Sequence, residues 1–136
     1  MLQLLEVRSN LEELVFRLAA KRMTPEVEAE LRQCLANLEE ATAANDHFRV
    51  AEADLKFHKT VWTASGNTLL EKALDRLCIS VYAYVSLQRH AAGEKQMATS
   101  HEVLLDALLQ RDSKLISKRI CEHLSPELVI PAGIDD

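Results

Sequence analysis

Apolar residues recur every three to four positions through most of the chain, which is the spacing of one buried face of an α-helix. Short polar or glycine- and proline-containing breaks divide this pattern into six segments. The predicted helices run from about Leu2 to Arg22, Thr24 to Ala44, Asp46 to Ser65, Thr68 to Arg89, Glu94 to Gln110 and Asp112 to Leu124. We therefore expect an all-α protein, with a tail from Ser125 to Asp136 that is loosely held.

Several of these helices carry sequence signals for their ends. Thr24-Pro25-Glu26 combines an N-cap, a proline at the first helical position and an acid in the first turn. Asp46 and Asp112 are suited to be N-caps, Gly66 to end the third helix, and Asn67 to begin the fourth. The inward stripe of the first helix is predicted to contain Leu4, Leu11, Val15 and Leu18.

The length and composition support one helical domain. The chain has 136 residues, is 48% hydrophobic, and contains three glycines and three prolines. So few breakers leave little room for the many tight turns of an all-β fold. No linker, repeat or low-complexity stretch suggests a second domain, so an antiparallel bundle of about six helices is the economical architecture.

The charge and the cysteines limit the function and the compartment. A formal net charge of −5 argues against nucleic-acid binding by this chain alone, since a basic surface is needed to neutralise the phosphates. No apolar run approaches the length that spans a bilayer, and there is no signal-peptide pattern. The three cysteines are Cys34, Cys78 and Cys121, without a CxxC spacing, and they indicate reduced residues of a cytoplasmic protein.

Two polar side chains stand inside the apolar stripe of the third helix. Asp54 and His58 are four residues apart, so they share the face formed by Val50, Phe57 and Val61. Burying a carboxylate is costly unless it is paired, hydrogen-bonded or bound to a metal. This pair is therefore the first candidate for chemistry.

Two further histidines occupy apolar stripes of other helices. His101 lies in the stripe of the fifth helix and His123 in that of the sixth, whereas His47 and His90 lie off the stripes. Three imidazole nitrogens and one carboxylate suit a divalent ion such as zinc, nickel, manganese, iron or cobalt. The alternative is a hydrogen-bonded network of aspartate and histidine without metal.

Other polar residues border the predicted core. Arg8 falls beside the apolar face of the first helix, either as a snorkelling arginine or as a guanidinium held ready for a carboxylate. Ser80, Tyr84 and Gln88 follow one edge of the fourth helix, either as satisfied core residues or as the lining of a central cavity.

The sequence gives little support for an enzyme. HExxH, a nucleophile elbow and a glycine-rich phosphate loop are absent. Di-iron carboxylate bundles use Glu-x-x-His pairs with additional glutamates, whereas this chain has a single Asp-x-x-x-His. A metalloenzyme acting on a small carboxylate and a purely structural metal site both stay open as alternatives.

Four segments of the chain resemble a known domain. They are EVRSNLEELVFRLAAKR, ADLKFHKTVWTASGN, SHEVLLDALLQRD and the closing Glu122-His123. In this order they are similar to the FadR C-terminal (FCD) type of effector-binding domain in GntR-family transcription regulators. The resemblance spans about Leu2 to Leu124 and implies a helical bundle around a metal and effector cavity.

The resemblance also implies roles for individual residues. Asp54, His58, His101 and His123 would hold a divalent metal, and Arg8 would contact a small organic acid beside it. A homodimer is expected, with DNA bound through a winged helix-turn-helix domain that precedes this one in the family. The 136 residues contain no such DNA-binding domain, so we expect an excised effector domain, with a stand-alone relic of one as the alternative. In neither case do we expect it to bind an operator or a membrane by itself.

Overall fold

The computed structural model describes residues 2–79 and 97–128, and every regular element within them is an α-helix. The helices are α1 (Leu2–Ala20), α2 (Pro25–Ala43), α3 (His47–Ala64), α4 (residues 68–79), α5 (Met97–Gln110) and α6 (Ser113–Leu128). The all-α prediction is confirmed. The remainder of the predicted fourth helix, with Ser80, Tyr84 and Gln88, lies outside the described residues, as does His90.

The helix starts follow the capping signals of the sequence. Each predicted N-cap side chain accepts a hydrogen bond from a backbone N–H three residues later: Thr24 from Val27, Asp46 from Arg49, Asn67 from Leu70, and Asp112 from Leu115. Gly66 has a φ of +73°, the left-handed conformation that commonly follows the last turn of a helix. These caps fix where the chain reverses direction.

Two helix ends differ from the sequence prediction. α1 ends at Ala20 instead of Arg22, and α6 continues to Leu128 instead of ending near Leu124. Pro126 therefore lies within the last turn of α6. A proline beyond the first turn of a helix lacks the N–H donor and crowds the carbonyl four residues earlier, which is why the sequence predicted an earlier end.

The helices pack around one main core. α2 packs along α3 and α5, while α1 contacts α3, α5 and α6. Large apolar side chains from α1 to α6 meet between them, among them Phe16, Leu31, Phe57, Leu74, Leu108 and Ile120. Burying each such side chain contributes about 1.5 to 3 kcal/mol relative to exposing it. Within the described helices, no segment has the length and apolar content needed to cross a membrane.

The buried face of α1 is turned relative to the predicted one. Of the predicted stripe only Val15 is fully enclosed, while Leu4, Leu11 and Leu18 are partly exposed. The deepest positions are instead Leu5, Arg8, Glu12, Phe16 and Ala19, together with Val15. Apolar spacing placed the face wrongly because two of its deepest residues are charged.

Candidate metal centre

Four polar side chains from three helices meet inside the bundle. Asp54 and His58 come from α3, His101 from α5 and His123 from α6. One ligand atom from each residue lies within 4.8 Å of the others. The side chains are enclosed, since the exposed fraction is 0% for His58 and His101, 3% for Asp54 and 6% for His123.

The fold explains this convergence. Residues four apart on a helix stack on one face, so α3 presents Asp54 and His58 together. α5 and α6 pack against each other, and each turns its histidine toward that face. Phe57 closes one side, with its ring centroid 5.0 Å from that of His101. An apolar wall of this kind excludes water and strengthens electrostatic interactions inside it.

Contacts within the cluster are short. His101 Nε2 lies 2.6 Å from Asp54 Oδ1, and His58 Nε2 lies 3.5 Å from the same oxygen. The ring centroid of His123 is 4.7 Å from that of His101 and 5.3 Å from that of His58. Two of the imidazoles therefore face the same oxygen atom, Asp54 Oδ1.

A second buried carboxylate stands behind the cluster. Glu12 is 0% exposed and lies with Oε1 and Oε2 at 3.3 and 3.4 Å from His58 Nδ1. The indole N–H of Trp62 donates to both oxygens at 3.2 Å, and Arg8 Nε lies 3.7 Å from Oε1. Burial raises the pKa of Glu12, but His58, Arg8 and Trp62 together outweigh it, so the pKa is lowered and the group is held as a carboxylate.

The outer nitrogens of two histidines are engaged away from the cluster. His58 Nδ1 faces Glu12, and His123 Nδ1 lies 2.5 Å from the hydroxyl of Ser100. This leaves the Nε2 atoms of these rings on the inner side, where His101 Nε2 also lies. Metal-binding histidines are usually held in this way, by a partner on the ring nitrogen that does not bind the metal.

The residues fit a divalent cation. Three imidazole nitrogens and a carboxylate are a usual donor set for zinc or another first-row metal, with metal–nitrogen distances of about 2.0 to 2.1 Å. Such distances place neighbouring ligand atoms about 3 Å apart. The present spread of up to 4.8 Å would close to this spacing through side-chain movements.

Arg8 is buried and not at the surface. Its exposed fraction is 1%, and its guanidinium faces Glu12. The snorkelling interpretation is therefore wrong, because it requires the charged end to reach water. The alternative, a guanidinium that contacts an acid ligand, stays a prediction.

A cavity that is open to the surface is lined by α5 and α6, and His123 is the one cluster residue in its lining. It has a volume of about 400 Å³ and is lined by Thr99, Ser100, Val103, Arg119, Glu122 and His123. Arg119 Nη1 and Glu122 Oε2 are 3.0 Å apart at this cavity. His123 thus belongs both to the buried cluster and to a space that could admit a small molecule.

Three residues of the site went unnoticed in the sequence. Glu12 follows Arg8 by four positions, a spacing that puts both on one helix face. Trp62 follows His58 by the same interval, and Ser100 directly precedes His101. The helical spacing could have pointed to Glu12 and Trp62, whereas Ser100 contacts His123 through a packing that the sequence does not specify. His47, predicted to lie off the stripes, is exposed at the start of α3.

Comparison with known proteins agrees with the fold and the order of motifs. A curated relative, the "Probable D-xylose utilization operon transcriptional repressor" of Paenarthrobacter nicotinovorans, is 29% identical over 133 residues. That alignment covers 95% of this chain and 58% of the relative. The chain therefore spans less than two thirds of this relative's length.

A solved structure has the same fold. The protein titled E. coli McbR/YncC superposes with a TM-score of 0.84 at 19% identity, over 93% of this chain and 64% of that one. The family model described as the FCD domain matches residues 3–126, nearly the whole chain. The chain therefore belongs to the FCD domain family, the FadR C-terminal type of domain found in GntR-family transcription regulators.

Proposed function

We propose that this domain senses a small organic acid through a bound divalent metal and passes the signal to a DNA-binding domain. Asp54, His58, His101 and His123 would hold the ion, which supplies a Lewis-acidic site for a ligand carboxylate. The observation that carries the proposal is the convergence of four side-chain atoms of metal-ligand type from three helices in a buried interior. A three-nitrogen, one-oxygen set leaves coordination positions for such a ligand when the metal is octahedral.

The surroundings of the cluster support an anionic ligand. Arg8 is a buried guanidinium that Glu12 separates from His58, and a planar guanidinium suits bidentate contact with an acid. The cavity beside His123 offers room for a small molecule. The transcriptional role named for the curated relative supports a regulatory function over a catalytic one.

The signal would travel as a change in helix packing or in the geometry of a homodimer. Ligand binding shifts an equilibrium only if the ligand prefers one of two arrangements. A preferred arrangement in the dimer would change the distance between the two DNA-binding domains, which in this family are separate winged helix-turn-helix domains. DNA binding is thus proposed only for a protein that joins this domain to such a DNA-binding domain.

A purely structural metal is the second candidate, because the near-complete burial of the four side chains also suits a closed site. The two proposals differ in their response to acids. A closed site has no position for a ligand carboxylate, whereas a sensing site does.

Calorimetry on the zinc-loaded protein separates these candidates. We expect one member of a panel of small mono-, di- and hydroxycarboxylates to bind, and Arg8→Met to weaken that binding at least tenfold. D-xylose is the neutral comparison, because it tests whether a sugar takes the place of the acid. Binding of D-xylose alone, or an unchanged affinity in Arg8→Met, would contradict the acid-sensing proposal.

The same panel tests catalysis. Each mixture is analysed after incubation for conversion of the acid, with zinc-free protein as the control. We expect every acid to be recovered intact. Metal-dependent turnover would establish the enzyme alternative instead.

A further inference from the structure

We infer that Glu12 is a positioning residue that fixes the orientation and the tautomer of His58 toward the metal. The inference rests on the proposed metal site and concerns a residue outside the four ligands. Its basis is a buried carboxylate that faces His58 Nδ1 from 3.3 and 3.4 Å, on the side of the ring opposite the cluster.

The hydrogen-bonding chemistry determines the tautomer. A carboxylate oxygen can only accept a hydrogen bond, so His58 Nδ1 carries a hydrogen and donates a hydrogen bond to Glu12. The Nε2 atom then has its lone pair on the inner side of the ring, 3.5 Å from Asp54 Oδ1. Without Glu12 both tautomers would be accessible, and only one of them presents Nε2 as a donor to a metal.

The position of Glu12 is itself fixed. Trp62 donates its indole N–H to both carboxylate oxygens at 3.2 Å, so the carboxylate plane is held from a second direction. Arg8 balances the negative charge, but its Nε lies 3.7 Å from Oε1, farther than the imidazole nitrogen. Glu12 therefore has a closer partner in His58 than in the arginine one turn before it on α1.

Glu12 also makes His58 different from His123. The partner of His123 Nδ1 is the neutral hydroxyl of Ser100, whereas that of His58 is an anion. A carboxylate on the outer nitrogen raises the basicity of the imidazole and its strength as a ligand. We thus expect His58 to be the stronger metal ligand of the two. A variant in which His58 loses its orientation should therefore bind the metal less tightly.

The test is the zinc affinity of the metal-free 136-residue chain, measured by competition with a chromophoric chelator. Glu12→Gln keeps the side-chain shape and removes the charge, and loss of such a partner weakens metal binding by about 10- to 100-fold. Glu13→Gln is the matched control, because Glu13 is the next residue on α1 but accepts a hydrogen bond from the hydroxyl of Ser117, away from the cluster. We expect Glu13→Gln to bind zinc within twofold of the unchanged protein.

Cobalt(II) gives an independent readout of the ligands. Its visible absorption depends on the donors, so we expect the bands of Glu12→Gln to shift and those of Glu13→Gln to match the unchanged protein. Glu12→Asp keeps the charge with a shorter reach and is expected to lose less affinity. If Glu12→Gln fails to fold, Glu12→Asp decides the question by the same comparison.

The outcomes are distinct. Zinc affinity within twofold of the unchanged protein in the folded Glu12 variant, or an equal loss in the Glu13 control, would overturn the positioning role and leave the metal site standing. Failure of the unchanged protein to bind zinc or cobalt would overturn the metal site itself, and the inference with it. A loss confined to the Glu12 variants, with shifted cobalt bands, supports the positioning role.

Discussion

Metal binding should raise the melting temperature of the chain by about 10 °C, and removal of the metal by a chelator should reverse the rise. The ligands explain why only the folded state binds well. Asp54 and His58 are neighbours on a helix, but His101 lies 47 residues from Asp54 and His123 is on another helix again. An unfolded chain would have to close these loops before more than two ligands could meet, which costs entropy.

The expected size follows from linkage. A metal present at 100 times its dissociation constant stabilises the folded state by about 2.7 kcal/mol if the unfolded state does not bind. For a domain of 136 residues, each kcal/mol corresponds to about 3 to 5 °C in melting temperature. The product is a rise of about 8 to 14 °C, with less if the unfolded chain retains some affinity through Asp54 and His58.

The assay is thermal unfolding followed by circular dichroism, with and without zinc, on the unchanged protein and two variants. His101→Ala removes a ligand that is 0% exposed and should abolish most of the metal-induced rise. His47→Ala removes an exposed histidine from the first turn of α3 and should keep the full rise. An equal rise in His101→Ala and His47→Ala would refute the assignment, because the zinc would then be bound elsewhere.

Three further predictions concern a turn, a carboxylate and the thiols. Gly66→Ala should lower the free energy of unfolding by about 1 to 2 kcal/mol in urea titrations, because φ is +73° there, whereas Gly66→Asn should cost less. In metal-free protein the lowered pKa of Glu12 contributes stability above the ordinary value of 4.5. That contribution to the free energy of unfolding is lost as the pH falls through the lowered pKa, since the unfolded state then binds more protons. In urea titrations between pH 6 and 3, the free energy of unfolding of Glu12→Gln should therefore fall less steeply than that of the unchanged protein. Cys121 is exposed and should react with a thiol reagent at once, while the buried Cys34 and Cys78 should react only on unfolding. Burial also raises the pKa of the Cys34 thiol, which lowers the fraction of reactive thiolate.

The helices were predictable because their signals are local. Caps at Thr24, Asp46 and Asp112 act within one turn, and apolar spacing reports which residues can share a face. The same local reasoning put Asp54 and His58 together. It also indicated that His101 and His123 face inward. Periodicity within one helix shows which face is buried, but not which residues of another helix it meets.

What the sequence could not specify was the rotation of α1 about its axis. Leucines at the edge of its apolar face, such as Leu11, appeared central, Arg8 appeared to border that face, and Glu12 was not identified. Their burial depends on partners from α3, since His58 and Trp62 satisfy the Glu12 carboxylate. A buried charge becomes tolerable only through such tertiary contacts, so the apolar spacing does not mark Glu12 as buried, and only its four-residue spacing from Arg8 links it to the site.

The four converging side chains are proposed to bind one metal ion. Anomalous diffraction at the absorption edge of the metal, from crystals of the metal-loaded protein, tests it most directly. We predict a single strong peak in each chain, within bonding distance of an Asp54 oxygen and of the Nε2 atoms of His58, His101 and His123. A peak located elsewhere, or histidine rings turned away from the ion, would contradict the claim.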